Sequence, residues 1–280
     1  MTDKLSFKSR KIRLLIKLAV ALIILAAAVS FTRYVYLSLR PKNRAAMFSS
    51  IAFPTLIIDA GHGGTDGGAV SPNGVVEAGI NLDIARRLQL VAQFYGFDTV
   101  MTRREADIAY PQDAKTLRQR KQYDQKTRLK LINSTPNSVF ISIHQNIYPK
   151  AAPFGAQVLY SPTDGSRELG VTVQELLKST LNTDTRTNRR GAVKVQKSIY
   201  LMNSLKCKAI LVECGFLSNP QDESVLQEAA YQTKLAAIIF SGFCRNLSGK
   251  YPVAPVEKPA DAQEPDDQNT PTYHLTEDLL

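Results

Sequence analysis

The feature that most constrains this chain is a repeated alternation between short, near-continuous apolar runs and longer stretches with helical periodicity. The runs Thr55–Asp59, Phe97–Met101, Ser138–Ile143, Ala156–Tyr160, Ile199–Met202 and Ala209–Glu213 are strand candidates, being short, apolar and rich in β-branched residues. Between them, Glu77–Tyr95, Thr116–Ile132, Gly165–Leu181 and Ala229–Leu247 read as helices; in the first, Ile84, Leu88, Val91 and Tyr95 recur at helical spacing. Strands that are apolar on both sides must be covered on both faces, which is how helices flank a largely parallel sheet. The expectation is a single α/β domain over residues 54–248, built on a mostly parallel twisted sheet flanked by helices.

The flanks differ sharply from this core. Ahead of it, Lys4, Lys8, Arg10, Lys11 and Arg13 precede the apolar run Leu14–Phe31, interrupted only by Lys17. Such a run is long enough to span a bilayer, and Lys17 lies near enough to its end to snorkel. Residues 1–31 therefore read as a cytoplasmic basic segment and membrane anchor, with the catalytic domain on the extracytoplasmic side. Cleavage as a signal peptide near Ala26-Ala27-Ala28 is the alternative. Residues 32–53 read as a basic linker. Residues 249–280 carry five prolines and many acids with hardly any apolar pattern, the composition of a disordered tail. The formal net charge of +10 is thus unevenly spread. The middle is moderately basic but has no Lys/Arg cluster interleaved with aromatics, so nucleic acid is not expected as a partner. Three cysteines, Cys207, Cys214 and Cys244, lack CxxC spacing and read as free thiols.

The first strand runs directly into Asp59-Ala-Gly-His-Gly-Gly-Thr-Asp-Gly-Gly68. A dinucleotide-binding GxGxxG fails, because Asp66 occupies the third glycine position counted from Gly61, and no Gly-Lys-Ser/Thr follows for a Walker loop. What the loop carries is His62. Of the two other histidines, His274 lies in the tail and His144 directly follows Ser138–Ile143. Ligands gather at the carboxyl ends of strands in open α/β sheets, so both imidazoles are expected at one edge. Glu213 ends Ala209–Glu213 and joins that edge if its strand is parallel. Glu77 opens the first helix, seven and eleven residues before Ile84 and Leu88, which places it on the buried face. Individually each has a plain alternative: a helix-start acid complementing the dipole, or a hydrogen-bonded structural histidine. Together, two His and one carboxylate with an open position make a catalytic Zn2+ set: His62, Glu77 and His144 as ligands, with Glu213 as the catalytic base.

Leu56-Ile-Ile-Asp-Ala-Gly-His-Gly-Gly64, the helix-opening Glu77, Thr102-Arg103, Ser142-Ile-His-Gln-Asn146 and Val212-Glu-Cys-Gly-Phe-Leu-Ser-Asn219 together resemble the zinc-dependent N-acetylmuramoyl-L-alanine amidases with an AmiC-type catalytic domain. The match runs in order from about Leu56 to Leu247. It implies zinc on His62, Glu77 and His144, catalysis by Glu213, and peptidoglycan as substrate, cut between muramic acid and L-alanine. The family's customary proline is Ala60 here. Gln145 and Ile147 flank Asn146 where smaller residues are common, and Cys214 follows Glu213. The N-terminal anchor, the absence of wall-binding repeats and the stretch Gly191–Met202 look most similar to the germination-specific amidases of spore formers. An activating protein partner is compatible with this reading.

Two rival functions use the same residues. A zinc carboxypeptidase acting on wall peptides would need a clamp for the terminal carboxylate, with Arg103, Arg128, Arg189 and Arg190 as candidates. A non-catalytic wall-binding scaffold would have no need of all four site residues, yet all four are present.

Overall fold

The computed structural model describes residues 53–149 and 153–248, together with Ala26 and Ser30. The chain divides into two units, Met1–Ala52 and Phe53–Leu280. In the first, Ala26 and Ser30 are helical and exposed. The rest of the expected anchor and linker, and the tail over 249–280, lie outside the described residues. Among the described residues, no helix is long and apolar enough to cross a membrane.

The second unit holds a six-stranded sheet in the order β2-β1-β3-β6-β4-β5. Its strands are β1 (Thr55–Ala60), β2 (Thr99–Met101), β3 (Ser138–Asn146), β4 (Gln157–Tyr160), β5 (Val193–Lys194) and β6 (Lys208–Phe216). The helices, in chain order, are α1 (Glu77–Phe94), α2 (Leu117–Ser134), α3 (Ser166–Leu181), α4 (Tyr200–Ser204), α5 (Pro220–Leu226) and α6 (Ala229–Ser248).

The sheet is mostly parallel, as expected, but one antiparallel pairing makes it mixed. The strands β2, β1, β3 and β6 are parallel, but β4 pairs antiparallel with β6, and β5 runs parallel to β4. Loop length explains the reversal. A parallel return requires a crossover of about a dozen residues or more, usually a helix. Only ten residues, 147–156, separate β3 from β4, so β4 starts from the edge where β3 ended and runs back. The run Ile199–Met202, expected as a strand, instead caps and opens α4. Ile199, Met202 and Leu205 are buried at steps of three, a helical repeat that a four-residue apolar run does not reveal.

Alternation along the strands divides the core in two. Leu56, Ile58, Ile141, Ile143, Ile210 and Val212 point to the face covered by α1, α3 and α6. Ile57, Phe140, Ala209 and Leu211 point to the other face, with Ile132 of α2 and Met202. The first face is thickly covered; α1 buries Ile80, Ile84, Leu88 and Ala92 against it. The second face is thin. α2 starts in a capping box between Thr116 and Gln119 and buries only Arg128 and Ile132. On this face a cleft of about 910 Å³ opens, lined by Asp59, His62, His144 and Met202 together with residues of α2.

Candidate metal centre

At the carboxyl edge of the parallel strands, the chain leaves β1 and turns sharply at His62. That residue holds φ of 60°, with Gly63 and Gly64 also at positive φ. Histidine tolerates this region better than most side chains, though the position must be held by its surroundings. Two buried arginines supply the hold. Arg103 donates from Nε to the carbonyl of Ala60 (2.9 Å) and from Nη2 to those of Gly61 (2.9 Å) and Ala78 (2.7 Å). Arg128 reaches up from α2 and donates to the carbonyls of Ala60 (2.9 Å) and His62 (2.7 Å). Between them, the carbonyls of three successive residues are fixed by guanidinium groups.

Arg128 is itself anchored by Asp59 (2.5 Å) and Asp124 (2.8 Å). Asp59 also accepts from Thr102 Oγ1 (2.6 Å) and Ser142 Oγ (2.5 Å). Burial alone would push the Asp59 carboxyl up. The Arg128 charge and these two hydroxyls outweigh it and hold the group at about 2.

The three expected ligands are brought together. His62 Nε2 stands 3.3 Å from Glu77 Oε2, and His144 Nδ1 stands 3.0 Å from Glu77 Oε1. The two rings lie 4.9 Å apart, centroid to centroid, at 76°. One ligand atom from each of the three lies within 4.8 Å of the others. Glycine makes the packing feasible at two points. A Cβ at Gly61 would fall 2.3 Å from His144 Nε2, and one at Gly68, where φ is 69°, would fall 2.5 Å from Glu77 Oε2.

Glu77 is 2% exposed and heavily solvated by the protein. Its Oε2 accepts from the Ala69 amide (2.8 Å), and its Oε1 from the Gln145 amide (2.9 Å) and Asn81 Nδ2 (3.0 Å). Burial would raise its pKa, but the charge of His62 and the hydrogen bond with His144 prevail, leaving it at about 2. His144 moves upward in turn, with the Glu77 contact overcoming the downward pull of burial.

Asp66, which stands where a GxGxxG motif would have its third glycine, contacts His62 Nδ1 at 2.9 Å. This fixes the ring so that Nε2 is the free nitrogen, the outer partner a metal-binding imidazole commonly has. Lys121 reaches Asp66 at 3.3 Å from α2. The sequence carries a signal for Asp66, which lies four residues from His62.

Glu213 pairs in register with His144 across β3 and β6. It is 1% exposed and does not belong to the three-residue cluster. Its Oε2 has no hydrogen-bond partner, and neither has His62 Nε2. Burial, chiefly, pushes Glu213 up to about 8, against the opposing pull of His144 and with the repulsion of Glu77. Cys214 is buried, while Cys207 and Cys244 are half-buried, and all three are free thiols.

The residues fit a zinc ion. Two imidazoles and a carboxylate, with one ligand atom of each within 4.8 Å of the others, are a donor set that suits a catalytic zinc ion. A buried nitrogen without a partner calls for an explanation, and a cation between His62 and Glu77 supplies one.

The fold and site define an α/β domain with a buried His–Glu–His group at the carboxyl edge of its parallel strands. Residues 56–245 match the family model described as N-acetylmuramoyl-L-alanine amidase, and the chain belongs to that family. It is 34% identical over 196 residues to the germination-specific N-acetylmuramoyl-L-alanine amidase of Bacillus subtilis, covering 70% of this chain and 80% of that protein. It is 30% identical over 191 residues to the amidase LytC of the same organism, covering 67% of this chain but only 34% of LytC. Among solved structures, the CwlD amidase of Clostridioides difficile, in complex with the GerS lipoprotein, superposes with a TM-score of 0.66 at 35% identity. That match covers 70% of this chain and 99% of CwlD.

Proposed function

We propose that this protein hydrolyses the amide bond between N-acetylmuramic acid and L-alanine in peptidoglycan, with zinc held by His62, Glu77 and His144 and with Glu213 as general base. The observation that carries the proposal is the buried Nε2 of His62, which has no hydrogen-bond partner and faces the Glu77 carboxylate at 3.3 Å, in a chain of this family. Zinc, when bound, activates water and polarises a carbonyl. The residues of the chain do the rest. Asp66 orients His62, and the Arg103 and Arg128 guanidiniums hold the loop that carries it. Glu213 accepts a proton from the attacking water at Oε2 and hands it to the departing amine of L-alanine. Burial holds its carboxyl up at about 8 in the metal-free chain, and the charge of a cation bound beside it would favour the ionised form that accepts the proton.

The carboxypeptidase alternative loses two of its clamps. Arg103 and Arg128 are buried, and their guanidiniums are committed to backbone carbonyls and Asp59. Product analysis separates the reactions: peptides beginning with L-alanine mark the amidase, whereas released terminal D-alanine would sink it.

The likeness to the germination-specific enzyme supports a role in spore-cortex remodelling. The apolar run Leu14–Phe31 supports a membrane-anchored enzyme with its domain outside the cytoplasm. The lipoprotein complex of CwlD supports an activating protein partner. Cortex from a deletion strain should lack muramic lactam; unchanged lactam would remove the sporulation role.

A further inference from the structure

The end of the domain opposite the metal cluster is unusually aromatic. Helix α1 starts at the site with Glu77 and runs 18 residues away from it, about 27 Å at 1.5 Å per residue. At its far end Phe94 is 86% exposed, Tyr95 67% and Leu90 66%. Leu90 and Phe94 are four apart and share one helix face. They continue a chain of ring contacts: Phe94 with Tyr95 (5.5 Å), Tyr95 with Phe240 (5.2 Å), Phe240 with Phe97 (5.5 Å) and Phe97 with Phe53 (5.1 Å). From Leu88 to Thr102 the sequence carries a single charge, Asp98. Phe240 is buried and Phe97 half-buried, so the exposed patch is Leu90, Phe94 and Tyr95, joined through those two rings to the exposed Phe53; clustered apolar exposure of this kind marks an interaction surface.

The position of the patch identifies its occupant. Phe53 ends the chain of ring contacts that leads from the patch and opens the domain, two residues before β1. Immediately upstream come the linker basics Arg33, Arg40, Lys42 and Arg44, and before them the apolar run Leu14–Phe31. Any bilayer that holds this run is tethered to the domain at the aromatic end. The linker charges favour anionic headgroups, and aromatic side chains with an apolar body favour the interfacial zone.

We infer that Leu90, Phe94 and Tyr95 form a membrane seat, which docks the domain on an anionic lipid surface and aims the metal cluster away from it, toward the wall. The inference rests on the anchored reading of the function. With the seat, the site is held at one height above the bilayer and faces outward.

The chain has no tryptophan, so a single introduced one reports on one position. The full chain, reconstituted into vesicles of phosphatidylcholine and phosphatidylglycerol, is tested as F94W, L90W and L117W. Leu117 is an exposed residue lining the cleft with His62. A seated patch lies about 5–10 Å into the headgroup–acyl boundary. F94W and L90W should therefore shift to shorter wavelength and be quenched by lipids brominated near the headgroup end of the chain, while L117W is not. Flotation with the vesicles but no quenching at 94 or 90 would overturn the seat and leave the anchor standing, as would equal quenching at all three positions. Failure to float would overturn both.

Discussion

Replacing Arg128 tests whether the loop that carries His62 is held electrostatically. Arg128→Ala leaves the folded backbone path intact but strips Asp59 of its counter-charge and the carbonyls of Ala60 and His62 of a donor. The Asp59 carboxyl moves from 3.8 to about 2 on folding, a shift worth roughly 2–3 kcal/mol. Leaving a buried charge without its partner costs about 3–5 kcal/mol in comparable cases. The second range exceeds the first because it includes groups whose protonation does not change, here the two carbonyls. For a domain of this size, a loss in that range lowers Tm by roughly 10 °C. A depressed carboxylate pKa stabilises the fold above pH 3.8, and the contribution fades as pH falls toward 2. The gap in urea-unfolding free energy between wild type and Arg128→Ala should therefore narrow across that window. Calorimetry and urea titrations at stepped pH read both effects. A variant within about 0.5 kcal/mol of wild type, the range of an ordinary surface substitution, or a gap independent of pH would refute the reasoning.

Three further outcomes follow from the site. Glu213→Gln should retain zinc, measured by elemental analysis, and lose turnover, whereas His144→Ala should lose both; equal zinc in wild type and His144→Ala would reject the ligand assignment. Asp66→Asn should weaken zinc affinity by about 10–100-fold in a chelator competition while the fold survives. Gly68→Ala should reduce zinc content, because its Cβ would press on Glu77 and His62 at a positive φ.

Much of this was legible in the sequence, for reasons that can be named. The apolar character of β1, β3 and β6 is unambiguous, and each delivers a site residue or its loop at one edge. Glu77 could be placed on the buried face of α1 from its spacing to Ile84 and Leu88. What the sequence hid depends on geometry between elements. The reversal of β4 follows from a connection too short for a crossover, and the short runs Val193–Lys194 and Pro220–Leu226 are below the length at which periodicity speaks. α2 is so polar that most of its lysines and arginines read as solvated surface, and Arg128 reads there only as a candidate carboxylate clamp. Asp59 is in fact paired with a buried cation. That the cation is Arg128, 69 residues away, emerges only from the packing of α2 on the thin face of the sheet.

The most direct test of the central claim is zinc titration into chelator-treated full-length protein, with mass spectrometry of the products from purified peptidoglycan. The account predicts no release without metal, and release of stem peptides beginning at L-alanine that saturates at one zinc per chain. Release that persists through chelation, or products cut at any other bond, would contradict it.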